Sequence, residues 1–157
     1  MKVLFLEKRK FKLFKPISWL SNLIYLFQGK YTHTAVTFLK NDKLYVREMK
    51  AYGVVFTYFP NYLKKHEGRC IVALNLRFGN EEKYNKYCNE NFVKYDYKNL
   101  LIWQPIKFLF SIFVGKDTPK ARICSEDSAR CVNVFCNIIE NPEKISPNEL
   151  FKILNYG

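Results

Sequence analysis

Cys124 is the residue whose type and position most directly suggest chemistry. It begins the run CSEDS, in which polar and acidic side chains suit the first turn of a helix. The apolar stretch that follows predicts a buried, central helix. The unpaired backbone N–H groups at such a helix start stabilise a thiolate, whereas Glu126 and Asp127 oppose it. Cys124 is therefore either a nucleophile or a buried structural cysteine, and the latter role is the one indicated for Cys131 and Cys136.

A cysteine nucleophile needs a base, and the chain offers two histidines for that role. His66 lies in the polar segment KKHEG, which predicts an exposed side chain. His33 lies in YTHTAVTF, a segment typical of a β-strand, where a single histidine is either structural or catalytic.

The hairpin that contains His33 brings a carboxylate close to it. A turn centred on Asn41 and Asp42 pairs Ala35 with Glu48. Glu48 then becomes the diagonal neighbour of His33, about 7–8 Å away by backbone, a gap that long side chains bridge. A carboxylate at that position orients an imidazole and stabilises its charged form. The alternative is a surface Glu48 paired with a neighbouring Lys or Arg.

The elements that must position these residues run strands first and helices after, which predicts an α+β fold. No repeat, linker or change of composition divides the chain, so residues 1–157 are predicted to form a single domain with an antiparallel sheet packed against helices. Strands are predicted at 3–7, 32–39, 44–49, 54–58 and 69–76, and helices at 17–27, 81–92, 125–139 and 147–154.

The apolar run at residues 100–114 is about fifteen residues long, whereas a membrane span needs about twenty. It also contains Gln104, Pro105 and Lys107. A buried helix, or one that docks on a surface, is therefore the prediction for this segment.

The net charge of +12 is unevenly distributed over the 157 residues. Residues 1–69 hold 14 basic and 4 acidic side chains, against 12 and 10 in the remainder. Such a basic half indicates an anionic partner, such as a phospholipid surface or a cell-wall polymer, or else a solvated surface. We expect no nucleic-acid partner, because the aromatic residues lie in apolar runs without a nucleic-acid-binding motif.

The five cysteines have no regular spacing and no Cys-x-x-Cys motif, which argues against a disulfide framework and a zinc site. Reduced thiols and the absence of a signal-peptide pattern at the N-terminus predict a cytoplasmic protein, which the basic half could hold at membranes. The frequent Lys, Asn, Tyr and Phe residues are typical of an AT-rich genome such as that of a virus or phage.

Short segments of the chain resemble, in the same order, the motifs of the circularly permuted papain-like cysteine hydrolases. These are the YiiX-type amidases and, more remotely, the NlpC-type peptidases and the lecithin:retinol acyltransferase group. In that family the base histidine precedes the nucleophilic cysteine in the chain. The similar segments are YTH at 31–33, VRE at 46–48 with GV at 53–54, YDY at 95–97, ICSE at 123–126 and SPNEL at 146–150.

The resemblance implies a permuted papain-like (NlpC-like) fold and a cysteine hydrolase, an amidase or peptidase. Cys124 would be the nucleophile at the start of a central helix, His33 the base and Glu48 the residue that orients it. The substrate would contain an amide or ester bond and react through a thioester, with no metal or organic cofactor. Further candidates for contact with the substrate or its oxyanion are Tyr31, Tyr95 and Ser125.

Two other functions stay open at this point. A lipid acyltransferase or phospholipase would use the basic half and the apolar segment at an anionic bilayer. A non-catalytic basic binding module would use aromatic residues together with Lys and Arg on nucleic acid, although no nucleic-acid-binding motif is present. We also predict a cationic rim beside the cleft, formed by Lys30, Lys40, Lys43, Arg47 and Lys50.

Overall fold

The structure is a computed structural model that describes residues 1–8, 30–50, 52–95 and 121–156. It combines an antiparallel sheet with helices, so the predicted α+β class is confirmed. The strands are β1 (Lys2–Glu7), β2 (Tyr31–Lys40), β3 (Lys43–Lys50), β4 (Gly53–Tyr58), β5 (Ile71–Asn75), β6 (Lys94–Tyr95) and β7 (Ala121–Arg122). The helices are α1 (Phe59–Lys65), α2 (Glu81–Glu90), α3 (Cys124–Cys136) and α4 (Pro147–Tyr156), with a 3-10 turn at Pro142–Lys144.

The main sheet has the strand order β4-β3-β2-β1-β5, and every neighbouring pair is antiparallel. Asn41 and Asp42 both take positive φ angles, of 49° and 57°, which is the geometry of a two-residue type I′ turn. This turn sets the register of β2 and β3, and Ala35 pairs with Glu48 as predicted. The short strands β6 and β7 form a separate parallel pair, which the sequence analysis did not predict.

The two faces of the sheet are covered by different helices. Alternate residues of a strand point to opposite faces, so one set packs under α2, α3 and α4 and the other under α1. The first set includes Val3, Phe5, Val36 and Phe38, and the second includes Leu4, Leu6, Ala35 and Val46.

Helix α1 occupies a segment for which no helix was predicted, and it buries His66. The N–H of His66 donates to the carbonyls of Tyr62 and Leu63, both at 3.1 Å, and so closes the helix. Its ring lies 4.4 Å from the Tyr62 ring, centroid to centroid, and the residue is 5% exposed. The prediction that His66 is exposed is therefore wrong, because the helix end folds its ring back onto Tyr62.

The predicted helices at 17–27 and 100–114 lie outside the described residues, so both stay predictions. Within the described part of the chain, no helix is long and apolar enough to cross a bilayer.

Candidate active site

Cys124, His33 and Glu48 come together in the structure. Cys124 is the first residue of α3, is 7% exposed, and lies close enough to His33 for each side chain to shift the pKa of the other. His33 Nε2 lies 3.4 Å from Glu48 Oε2. The His33 side chain is 19% exposed, so the group is enclosed but open to a small reactant. A thiol, an imidazole and a carboxylate linked in this order can activate a nucleophile.

A β-bulge next to His33 helps to aim its side chain. The pairing of β1 with β2 matches Leu6 with His33 but Glu7 with Tyr31, so Thr32 is the extra residue. Bulges bend a strand locally and redirect neighbouring side chains. Arg69 holds this one, since its guanidinium donates to the Glu7 carbonyl and, at 2.9 Å, to Thr32 Oγ1. The bulge was not predicted from the sequence.

The SPNEL segment anchors the same end of β2. Ser146 and Glu149 cap α4 reciprocally, because the Ser146 N–H donates to Glu149 Oε2 at 2.7 Å and the Glu149 N–H donates to Ser146 Oγ. From the first turn of α4, Asn148 accepts the Tyr31 N–H at 3.1 Å and donates to the Tyr31 carbonyl at 3.0 Å. The start of β2 is thereby fixed two residues before His33.

The electrostatics of the site favour an imidazolium–thiolate pair. Burial alone would lower the pKa of His33, but the Cys124 thiolate and the Glu48 carboxylate raise it to about 9. Burial alone would raise the pKa of Cys124, but the charge and hydrogen bond of His33 lower it, helped by the backbone and hydroxyl of Thr34. Burial would also raise the pKa of Glu48, yet His33 and Lys50 lower it to about 2. Glu48 is therefore ionised at neutral pH.

Glu126 and Asp127, the two acidic residues in the first turn of α3, both have bonding partners, so they destabilise a Cys124 thiolate less than free carboxylates would. Glu126 Oε2 accepts the Ile123 N–H at 3.0 Å and so caps the helix start. Asp127 forms a bidentate ion pair with Arg47, with Nε–Oδ2 and Nη2–Oδ1 distances of 2.9 and 2.8 Å. The neighbouring cation offsets the charge of the Asp127 carboxylate.

Arg47 is fully buried and joins three elements, so its predicted place in the cationic rim is wrong. Besides Asp127 on α3, its Nη1 donates to the carbonyls of Cys88 and Asn91 at 3.1 and 2.6 Å, at the end of α2. Arg47 lies next to Glu48 on β3, but alternate strand residues face opposite sides, so it points toward α2 and α3. It thus ties the helix of Cys124 to the strand of Glu48.

The rest of the predicted rim is only partly assembled. Lys50 Nζ lies 2.7 Å from Glu48 Oε1, as a rim residue should, and Lys65 at the end of α1 approaches the same oxygen at 3.5 Å. Lys30 instead pairs with Glu7 at 3.2 Å, while Lys40 and its exposed partner Lys43 lie at the hairpin turn. Lys65 was not among the predicted rim residues, because nothing in its local pattern indicates a tertiary contact with Glu48.

The other candidate residues have different positions. The Tyr31 ring is buried between Phe5 and Phe151, at 5.5 and 4.6 Å between centroids, so it belongs to the core cluster. The Ser125 hydroxyl donates to the Ile145 carbonyl at 2.7 Å, so this side chain is bonded within the protein. Tyr95 lies in β6, but its side chain is outside the described residues.

The remaining cysteines have no part in the site. Cys88 and Cys131 are buried with 3.9 Å between their sulfur atoms, Cys136 is half-buried, and Cys70 is exposed. No group of three His, Cys, Asp or Glu side chains is arranged to hold a metal ion in the described ranges.

Comparison with known proteins adds no family assignment. A scan against protein-family models and a search of curated proteins both found no match. The function is therefore inferred from the geometry of the site.

Cys124 is expected to react with iodoacetamide at a lower pH than Cys70, although it is nearly buried. Cys70 is the internal control, because a hydrogen bond with Glu7 raises the pKa of this exposed thiol, whereas His33 lowers the pKa of Cys124. At the same pH Cys124 would then hold a larger fraction of thiolate, the reactive form, than Cys70. The measurement is the alkylation rate of each cysteine by mass spectrometry across the pH range. In His33→Asn the midpoint for Cys124 should rise, and a wild-type Cys124 that titrates with Cys70 would contradict the ion pair.

Proposed function

We propose that this chain is a cysteine-dependent hydrolase of the permuted papain-like fold, which cleaves an amide bond through a thioester intermediate. One observation carries the proposal: Cys124 begins α3 next to His33, whose Nε2 lies 3.4 Å from the buried carboxylate of Glu48. The α+β architecture and the chain order, histidine before cysteine, agree with the family resemblance of the five short segments.

The chemistry is acyl transfer to and from sulfur. The Cys124 thiolate attacks the carbonyl carbon, and the carbonyl oxygen becomes an oxyanion near the first N–H groups of α3, which include that of Ser125. His33 gives its proton to the leaving nitrogen as the carbon–nitrogen bond breaks, and a thioester remains. Neutral His33 then takes a proton from water, and the hydroxide formed attacks the thioester. The acid product leaves, and the Cys124–His33 pair is restored.

Glu48 acts through His33 in this scheme. Its Oε2 holds the imidazole in one orientation and favours the charged form that the leaving group needs. Since His33 retains its proton up to about pH 9, turnover should fall as the pH rises through that value. Coupled groups titrate as a pair, so this alkaline limb reports on Cys124 and His33 together.

Labelling with matched acyl electrophiles tests the proposal and the substrate class together. We expect peptide-amide, ester and lipid-amide warheads to differ in rate, and the fastest to leave its acyl group on Cys124, as located by mass spectrometry. The His33→Asn variant should lose this labelling while keeping its fold. Adducts on Cys70 in place of Cys124, or equal labelling of the two residues, would contradict the assignment of Cys124 as the nucleophile.

A lipid acyltransferase or phospholipase would share the thioester step and differ in the group that accepts the acyl chain. The apolar segment that suggested it, residues 100–114, is not among the described residues. Adding alcohols and amines to the labelled enzyme separates the two functions: a hydrolase releases the free acid, whereas a transferase forms the new ester or amide.

A further inference from the structure

Two lysine ammonium groups approach the same oxygen of Glu48, although one cation is enough to form an ion pair with it. Its Oε2 faces His33, while Oε1 lies 2.7 Å from Lys50 Nζ and 3.5 Å from Lys65 Nζ. The Glu48 side chain is 3% exposed, whereas those of Lys50 and Lys65 are 20% and 45% exposed. The carboxylate is thus enclosed, and the ammonium groups border it on the solvent side.

The charges around this carboxylate do not balance. The Cys124 thiolate and the His33 imidazolium offset each other, which leaves one carboxylate against two ammonium groups. Lys50 already forms an ion pair with Oε1 at 2.7 Å, so Lys65 adds a charge that Glu48 only partly neutralises. Consistent with this surplus, burial and the nearby Lys50 ammonium lower the pKa of Lys65. A second anion beside the lysines would relieve their mutual repulsion.

We propose, on the basis of the hydrolase function above, that Lys50 and Lys65 form a subsite for an oxyanion of the substrate, a carboxylate or phosphate. This oxyanion would lie beside the carbonyl group that Cys124 attacks. The lysines come from different elements, the end of β3 and the last turn of α1, and converge through Glu48 on the reactive pair. The subsite selects acidic substrates over neutral ones, since an ammonium group bordered by protein holds an anion more strongly than one in bulk water.

Two electrophiles that differ only in charge test this subsite without turnover. N-iodoacetylglycine carries a carboxylate, and N-iodoacetylglycinamide carries a neutral amide in its place. Both probes alkylate thiols. The glycine unit holds the carboxylate or amide at a distance from the reacting carbon. This spacing is needed because Glu48 and His33 lie between the lysines and Cys124. The measurement is the ratio of the two rates at Cys124 in wild type, in Lys65→Gln, and in the matched control Lys64→Gln, whose side chain is exposed on the same helix.

At low salt we expect wild type and Lys64→Gln to favour the acidic probe by about three- to tenfold, and Lys65→Gln to lose that preference. The neutral probe should react at the same rate in wild type and Lys64→Gln, and dividing by its rate in each protein removes any general change in Cys124 reactivity. Added salt should reduce the ratio. Acetate and inorganic phosphate, added as competitors at matched ionic strength, show which oxyanion binds better.

Equal rates for both probes in wild type, or the same ratio in Lys65→Gln as in Lys64→Gln, would overturn the subsite and leave the hydrolase proposal intact. A Cys124 that reacts with neither probe in the folded protein would instead contradict the hydrolase proposal, and the subsite with it.

Discussion

Replacing Cys124 by serine is expected to lower turnover of the substrate identified by labelling by at least about 10³-fold. The hydroxyl of serine is a far weaker acid than a thiol, so the adjacent His33 does not convert it into a standing anion as it does Cys124. The substitution changes one atom at a position that is 7% exposed, and we expect the fold to persist. Steady-state kinetics, with the melting temperature of each variant, provide the measurement.

The matched control is Cys136→Ser, at the other end of the same helix, which should retain wild-type turnover. His33→Gln should lower turnover about as much as Cys124→Ser does. The double variant should have no lower turnover than either single variant, because removing one member of a pair that acts as a unit already removes the effect of both. A folded Cys124→Ser protein that keeps more than about a tenth of the activity would exclude the thioester route.

Breaking the Arg47–Asp127 pair is expected to cause the largest loss of stability. Arg47→Met keeps the length and apolar stem of the side chain but leaves the Asp127 carboxylate buried without its cation. Removing one partner of a buried ion pair costs about 3–5 kcal/mol, a large share of the stability of a small domain. Because Asp127 lies one turn after Cys124, the loss should also loosen the start of α3. Urea unfolding, with midpoint and slope reported separately, measures the effect.

The double variant Arg47→Met/Asp127→Leu separates the ion pair from packing. With both charges removed, no unpaired charge is buried, so the double variant should be more stable than Arg47→Met alone. The exposed substitution Lys64→Gln should change the free energy of unfolding by less than about 0.5 kcal/mol. If Arg47→Met is within about 1 kcal/mol of wild type, the ion pair adds little to stability, and Arg47 does not hold the two elements together.

Local patterns were enough to predict much of the fold and the composition of the site. The Asn41-Asp42 turn predicts the β2–β3 register because few residues adopt left-handed backbone geometry. That register pairs Glu48 with Ala35, two residues after His33 in β2. Polar residues before an apolar run predict the start of α3 at Cys124 to within one residue. These features depend on neighbours in the chain, so local sequence is enough to specify them.

The packing of elements that are distant in the chain sets which charged and polar side chains are buried and which of them are in contact. Arg47 has the pattern of a surface residue on a strand, yet it is buried, because Asp127 and two helix-end carbonyls 40 or more residues away complete its hydrogen bonds. His66 is buried by the packing of its own helix end, and Lys65 reaches Glu48 only because α1 covers that face of the sheet. Long-range contacts of this kind leave no periodic trace in the sequence, since their partners are set by how the elements pack and not by spacing along the chain.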